Sequence, residues 1–264
     1  MARPIVALLT DFGTRDHYAG TMKGVVLGLA PDAALVDITH DVPPHDILTA
    51  SIELAASYKY FPPGTIFLVV VDPGVGSARR GLVAEVGDYR FVAPDNGVLT
   101  LVLRESPAKK IVELTERRYA RPTVSRTFEG RDRFAPAAAW LAKGTQLPAL
   151  GRPVNEIQKL EIPVPEIAAD AIRGVVLRVD RFGNLVTNID RKAVERLNAG
   201  GTIAIDAGGH RIERLVATYS ELPADGVGAL FGSTDHLELA APSDSAAARL
   251  SLARGAVVTV SRQA

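Results

Sequence analysis

The sequence predicts an α/β protein: an N-terminal three-layer α/β domain with a mostly parallel sheet, then a smaller C-terminal antiparallel β-barrel domain. Three observations predict it. Between Ile5 and Val71, apolar β-branched runs alternate with helical spacing, the pattern of parallel crossovers. From Gln146 to Pro165 the chain carries Pro148, Pro153, Pro163 and Pro165 without sustained periodicity, as a domain boundary would. Beyond it, short strands and turn residues dominate, and only 191–198 and 245–252 have helical spacing. The expected domains are 1–150 and 169–264, joined by a linker over 151–168.

Ile5 to Thr10 reads as a buried strand ending at Asp11-Phe12-Gly13. Asp16 is placed to cap a helix whose apolar positions Met22, Val25, Val26 and Leu29 share a face. Ala34 to His40 is a second strand, Pro43-Pro44 punctuate, and a helix is expected from about Asp46 to Tyr60. Ile66 to Val71 is an uninterrupted apolar run, the pattern of a strand buried on both faces. Asp72, Pro73 and Gly74 end it, and Gly74 and Gly76 permit a sharp turn. LVAEVG and YRFVAPD, separated by Gly87-Asp88, form a hairpin signal. A short helix to Arg104, the strand KKIVELT, and a helix from Arg131 to Lys143 with Pro136 near its start complete the first domain. In the second, IRGVVLRVDRFGNLVTNI, GTIAIDAG, HRIERLVATYSEL, VGALFG, HLELA and AVVTV read mostly as strands.

The chain has 264 residues, is 47% hydrophobic and balances 30 basic against 30 acidic residues. That supports a real core and gives no basic excess for a nucleic-acid groove. Cysteine is absent, which removes disulfides, thiolate nucleophiles and cysteine metal sites. The first apolar run meets Asp11 too early for a signal peptide, and no run approaches a bilayer span. The expectation is a soluble, cytoplasmic protein without membrane or nucleic-acid partners. The five histidines are scattered and no pair has metal-ligand spacing, so no metal is expected.

Chemistry concentrates at strand ends. Asp11 follows the first strand, Asp72 the third, and two further acidic loops are Asp95-Asn96-Gly97 and Glu129-Gly130-Arg131-Asp132. A carboxylate at the carboxyl end of a central parallel strand, opening into a glycine loop, lies where open α/β sheets place ligands. Arg79 follows Asp72 by seven positions. In the second domain, Asp180, Phe182, Asn184 and Asn188 surround a glycine.

The segments LLTDFG, THDVPPHDI, FPPGTIFLVVVDPGVGSARR, FVAPDNG, TFEGRDRFAP, RFGNLVTNI and GSTDHLELA, in this order, resemble the S-adenosyl-L-methionine hydrolase family, also called SAM hydroxide adenosyltransferases. This is the hydrolytic branch of the superfamily that includes the fluorinase and chlorinase. The resemblance implies a homotrimer with inter-subunit sites. It implies hydrolysis of S-adenosyl-L-methionine (SAM) to adenosine and methionine by water attack at the ribose 5′ carbon, without cofactor or metal. It assigns Asp72 and Arg79 to water activation and Asp11 to the ribose diol, against the plainer reading of Asp11 as a helix cap. It gives Asn184, Phe182 and Asp180 to the amino-acid end of the substrate; the plainer reading of Asp180 is an exposed strand-end charge. Phe128, Gly130, Ser233 and Ser243 fall among its substrate contacts, although Ser243 reads equally as a structural turn. His40 falls near the ligand in the halogenating relatives, or else is a capped strand-end histidine. Arg80 reads as a solvated neighbour.

One position departs from the resemblance. Its hydrolases usually carry histidine where this chain has Glu129. Either Glu129 acts as an acid/base partner, or the activity is slow or altered; a separate reading is a protein that binds SAM or adenosine without chemistry. Halogenation is the third reading. Asp72, where that branch has tyrosine, and the direct run from SARR into LVAEVG oppose it. The absence of GxGxxG after the first strand and of GxxxxGK[ST] leaves a dinucleotide or P-loop site unsupported.

Overall fold

The structure is a computed structural model that describes residues 3–198, 202–212 and 214–263. The chain forms two compact units, Met1–Glu161 and Ile162–Ala264.

In the first unit seven strands form one sheet: β1 (Ile5–Thr10), β2 (Ala34–Thr39), β3 (Ile66–Val70), β4 (Gly81–Val86), β5 (Tyr89–Pro94), β6 (Ala108–Leu114) and β7 (Gly151–Pro153). Their order is β2-β1-β3-β5-β4-β6-β7. Strands β2, β1, β3 and β5 are mutually parallel, and β4 and β7 run against the rest. Alternation along β1 explains the three layers. Val6 and Leu8 enter one core, with α1 (Tyr18–Leu29) and α4 (Ala135–Ala142) contributing Met22, Val26 and Ala138. Ala7 and Leu9 enter the other, with α2 (Ile47–Ser57) and α3 (Thr100–Glu105) contributing Leu54 and Val102. All five residues of β3 are buried, which is why its sequence shows no polar interruption.

The topology positions the site. From β1 the chain crosses to β2 on one side. It then returns to β3 on the other side of β1, and β3 leads on towards β5. Thr10 and Val70 are paired across β1 and β3, so the loops bearing Asp11 and Asp72 leave neighbouring strand ends at a topological switch point.

The second unit contains β8 (Glu166–Ile167), β9 (Ala171–Val179), β10 (Leu185–Asp190), β11 (Ile203–Ala207), β12 (His210–Ile212), β13 (Gly228–Phe231), β14 (His236–Ala240) and β15 (Val257–Arg262). Helices α5 (Arg191–Leu197) and α6 (Ala246–Leu250) complete it. The strands pair antiparallel in the order β12-β11-β15-β9-β10-β14-β13, with β8 on β9. The segment after β12 nearly closes the barrel: Ala229 N donates to Arg214 O at 2.8 Å and Val216 N to Ala229 O at 2.9 Å. Closure leaves little free edge.

Several local expectations differ from the structure. The proline-rich stretch is not featureless: Gly151–Pro153 adds an edge strand to the first sheet, where a proline costs no ladder bond, and Glu166–Ile167 adds β8 to the second. Asp16 caps nothing; His17 is the N-cap of α1 and makes no side-chain cap bond. Among the described residues of HRIERLVATYSEL, only His210–Ile212 forms a strand, and Tyr219–Glu221 is a 3₁₀ turn. The helix expected from Arg131 starts with a π-helical turn over Gly130–Phe134, a widening common at functional sites. Among the described residues no helix is long and apolar enough to cross a membrane.

Candidate active site

Asp72 leaves the end of β3 into two successive turns. Val75 N donates to Asp72 O at 3.1 Å, and Ser77 N to Gly74 O at 3.1 Å. The turns fold Arg79 back onto the carboxylate that opened the loop. Arg79 Nε donates to Asp72 Oδ1 at 2.8 Å and Nη2 donates to Oδ2, a two-point fork on a pair almost wholly out of solvent. Gly76 permits the fold. Its φ is +78°, and a Cβ there would lie 2.3 Å from the Arg126 carbonyl oxygen. Gly76→Ala is therefore expected to cost about 2 kcal/mol, read as a lower urea midpoint, from left-handed strain plus the clash.

Glu129 approaches the same guanidinium from the turn before α4. Its Oε2 lies 2.6 Å from Arg79 Nη2, and its Oε1 lies 3.1 Å from Arg133 Nη1. Gly130 lets this turn press inward, since an added Cβ would meet Met22 Sδ at 3.1 Å and Val70 Cγ1 at 3.2 Å. The Arg79 guanidinium carbon also sits 5.1 Å from the centre of the Phe134 ring. Burial pushes the Asp72 carboxyl above its ordinary range; Arg79 works against that, while Glu129 and Asp11 add to it.

Asp11, Asp72 and Glu129 line one cavity of about 330 Å³. Its apolar wall is an aromatic group in which Phe128 meets Phe12 and Tyr18 edge-on, with centroids 5.9 and 5.1 Å apart. Arg79 is not among the lining residues; it grips the two carboxylates from behind. Asp11 Oδ2 accepts from His45 N at 2.8 Å, made possible by His45 at φ 67°. Asp11 is therefore not a helix cap. A larger cavity of about 620 Å³ shares only Glu129 with the first and is bordered by Arg133, Arg121 and Glu116. The smaller one holds the three converging carboxylates and an apolar wall, which is what a ligand with a polar and a flat apolar part requires.

One candidate, His40, and one residue read as solvated, Arg80, have structural partners. His40 does not line the cavity. It is buried at the end of β2, with Nδ1 2.8 Å from Thr10 Oγ1 and Nε2 3.1 Å from Asp37 Oδ1. Its backbone oxygen accepts from Gly13 N at 2.7 Å, which ties down the loop carrying Asp11. Arg80 is not a solvated neighbour: its Nε donates to buried Asp95 at 2.8 Å and its Nη2 to Glu156 O at 2.7 Å. Asp95 also accepts from Gln158 N at 2.8 Å, so this acidic loop anchors the end of the first unit.

In the second unit Asp180 organises the DRFGN turn. Its Oδ1 accepts from Phe182 N at 2.9 Å and Asn184 N at 2.8 Å, and its Oδ2 from Asn184 Nδ2 at 2.9 Å. Asn184 is buried, whereas Phe182 is 76% exposed. Buried Glu238 accepts from Tyr219 Oη at 2.9 Å; burial, with Asp180 nearby, raises the Glu238 carboxyl against the pull of Tyr219 and Arg178. Ser233 is exposed in the turn between β13 and β14. Ser243 is exposed too, at φ 53° beside the Ala241–Asp244 bridge. Asn188 is spent on structure, accepting from Val175 N and donating to Pro163 O.

Comparison with known proteins gives the family. The family description "SAM hydroxide adenosyltransferase N-terminal domain" matches residues 6–151, and "SAM hydroxide adenosyltransferase C-terminal domain" matches residues 174–259. The chain belongs to the SAM hydroxide adenosyltransferase family. It is 38% identical to the (R)-S-adenosyl-L-methionine hydrolase of Thermus thermophilus, over 96% of this chain and 97% of that one. It is also similar to the fluorinase of Nocardia brasiliensis, at 30% identity over 75% of each. Among solved structures, an uncharacterized conserved protein from Thermotoga maritima superposes with a TM-score of 0.91 at 34% identity, covering 98% of this chain and 100% of that one.

Family membership accounts for the segments quoted above but not for everything in the cavity. Tyr18 and His45 were not legible from spacing. Tyr18 reads as the first residue of an amphipathic helix, and His45 enters through a backbone amide that no side-chain pattern reveals. Thr127, by contrast, sits next to Phe128 in TFEGRD, and its place in the wall follows from that adjacency.

Proposed function

We propose that this protein hydrolyses S-adenosyl-L-methionine to adenosine and L-methionine. The observation that carries the reading is the forked Asp72–Arg79 pair joined to Glu129, with Asp72 and Glu129 opening on the cavity that Asp11 shares. The hydrolase names of relatives at this level of identity support it.

In the reaction a water oxygen bonds to the ribose 5′ carbon as the carbon–sulfur bond breaks. The sulfur keeps the electron pair and leaves as neutral methionine thioether, and one proton is released. Asp72 takes that proton. Arg79 stays protonated and so cannot be the base; it holds the two carboxylates in one geometry. Both oxygens of Asp72 are engaged by Arg79, yet each carboxylate oxygen has two acceptor sites, so one remains for water. Asp11, fixed by the His45 amide, accepts from the ribose hydroxyls. Phe12, Tyr18 and Phe128 offer flat apolar surface beside them. In the proposed homotrimer, Asp180 and Asn184 of a neighbouring copy hold the amino-acid end, with Phe182, Ser233 and Ser243 of that copy as further contacts. A cationic sulfonium and a nucleophile of growing anionic character lose charge together, so a site with few waters favours the step.

Running the reaction in ¹⁸O-labelled water should place the label in the 5′ hydroxyl of adenosine; unlabelled adenosine, or none, would reject the reading. Added chloride should give no 5′-chloro product. Because burial raises the Asp72 carboxyl, adenosine release should already decline at a pH above the ordinary carboxylate range, as the base takes up its proton. A flat profile down to pH 4 would remove Asp72 from that role.

The engagement of both Asp72 oxygens also favours a second reading, a protein that binds SAM or adenosine without turnover. Calorimetric binding with no adenosine after hours would select it. The homotrimer and the cytoplasmic location belong to the same proposal. Light scattering should return the mass of three chains, and a monomer would contradict it.

A further inference from the structure

We infer that Arg133 is the positioning residue that allows a carboxylate to serve at position 129. This rests on the hydrolase reading above. Arg133 lies one turn beyond Glu129, with Nη1 3.1 Å from Glu129 Oε1 and Nη2 donating to the Leu114 carbonyl, at the end of β6, at 2.6 Å. The guanidinium is thus tied to the sheet rather than swinging in solvent. Glu129 Oε2 meets Arg79 Nη2 at 2.6 Å. Each oxygen of Glu129 has its own guanidinium, and charge alternates along Asp72, Arg79, Glu129 and Arg133.

The consequence concerns Arg79. Without Arg133, two nearly buried carboxylates would compete for one guanidinium, and movement of Arg79 towards Glu129 would open the fork on Asp72. With Arg133 on Oε1, Glu129 is held from the far side and local charge is two against two. Glu129 lines both cavities but Arg133 lines only the larger, so Arg133 acts through Glu129 and not on the substrate. The other charged or titratable groups around Glu129 are Asp72, Asp11, His45 and Tyr18 on the smaller cavity and Glu113, Glu116, Arg117, Tyr119 and Arg121 on the larger.

The test is a double-mutant cycle on adenosine release. Arg133→Met should lower kcat about tenfold through loss of alignment, leave KM for SAM within about twofold, and move the acid limb up by about one pH unit. When Arg79 shifts towards Glu129 and its fork on Asp72 opens, Asp72 loses the cation that holds it ionised, hence the upward sign. Arg133→Lys should restore the limb and part of kcat. In a Glu129→Gln background, Arg133→Met should change neither kcat nor the limb. Equal losses in both backgrounds, or an unshifted limb in the single variant, overturn the inference. If wild type releases no adenosine, the hydrolase reading fails instead. NMR titration of the Asp72 carboxyl carbon in wild type and Arg133→Lys or Arg133→Met then tests the clamp without turnover: a higher midpoint only in the methionine variant supports it, and an unchanged midpoint rejects it.

Discussion

Asp72→Asn should lower adenosine release by about three orders of magnitude while changing KM for SAM only a few-fold, the range expected for removal of a positioned general base. Asparagine keeps the shape and one acceptor but cannot take a proton from water. The fold should persist, because Arg79 retains Glu129 at 2.6 Å and its packing on Phe134. Binding should persist as well, since the aromatic wall and Asp11 are untouched. The measurement is steady-state adenosine formation with a thermal melt as control. Activity within tenfold of wild type, from a folded variant, would mean that water is activated elsewhere.

Asp132→Ala should produce the largest loss of stability, about 3 kcal/mol, because it strips a buried carboxylate from its guanidinium and amide donors. The Asp132 side chain is fully buried; Arg131 Nε and Nη2 reach its two oxygens at 2.7 Å each, and Ser125 N reaches Oδ2 at 2.8 Å. Arg131 and Arg121 are themselves 33% and 50% exposed, which keeps the figure at the low end for a buried pair. Burial alone would raise this carboxyl, but Arg131, then the Ser125 amide and Arg121, outweigh it and hold it below its usual value. A depressed folded-state pKa means that the stabilisation is present above the unfolded value of about 3.9 and fades as pH falls through the folded one. Wild type and variant should therefore converge in strong acid. Urea midpoints at pH 7 and pH 3 read both effects, and an unchanged gap at low pH would refute the electrostatic account. Activity should fall too, since Arg131 also covers Phe128, 5.2 Å from its ring centre, and Phe128 lines the cavity.

Much of the first unit was legible because parallel strands write themselves plainly. Ile5–Thr10 and Ile66–Val70 were apolar on both faces, and a carboxylate after each stood out against that background. The two glycines after Asp72 announced a sharp turn, but the Asp72–Arg79 pairing itself came from the family resemblance. Arg80 was misread because a charged neighbour looks solvated until the partner is known, and Asp95 lies fifteen positions away on another strand end. The placement of Arg133 is not legible in the sequence because it depends on a π-helical turn and on the Leu114 carbonyl, neither of which has a sequence signature.

The order of residues alone determined the two-part architecture, the strand–helix alternation of the first unit, the family, and the strand-end carboxylates. These follow from local periodicity and from side-chain chemistry that each residue carries wherever it sits. The tertiary structure alone decided which charges meet. It set His40 against Thr10 and Asp37, Arg80 against Asp95, and Glu129 between Arg79 and Arg133. Electrostatic partnership depends on distances of a few ångströms across segments far apart in the chain, and burial multiplies its strength, so it is settled only once the layers have packed.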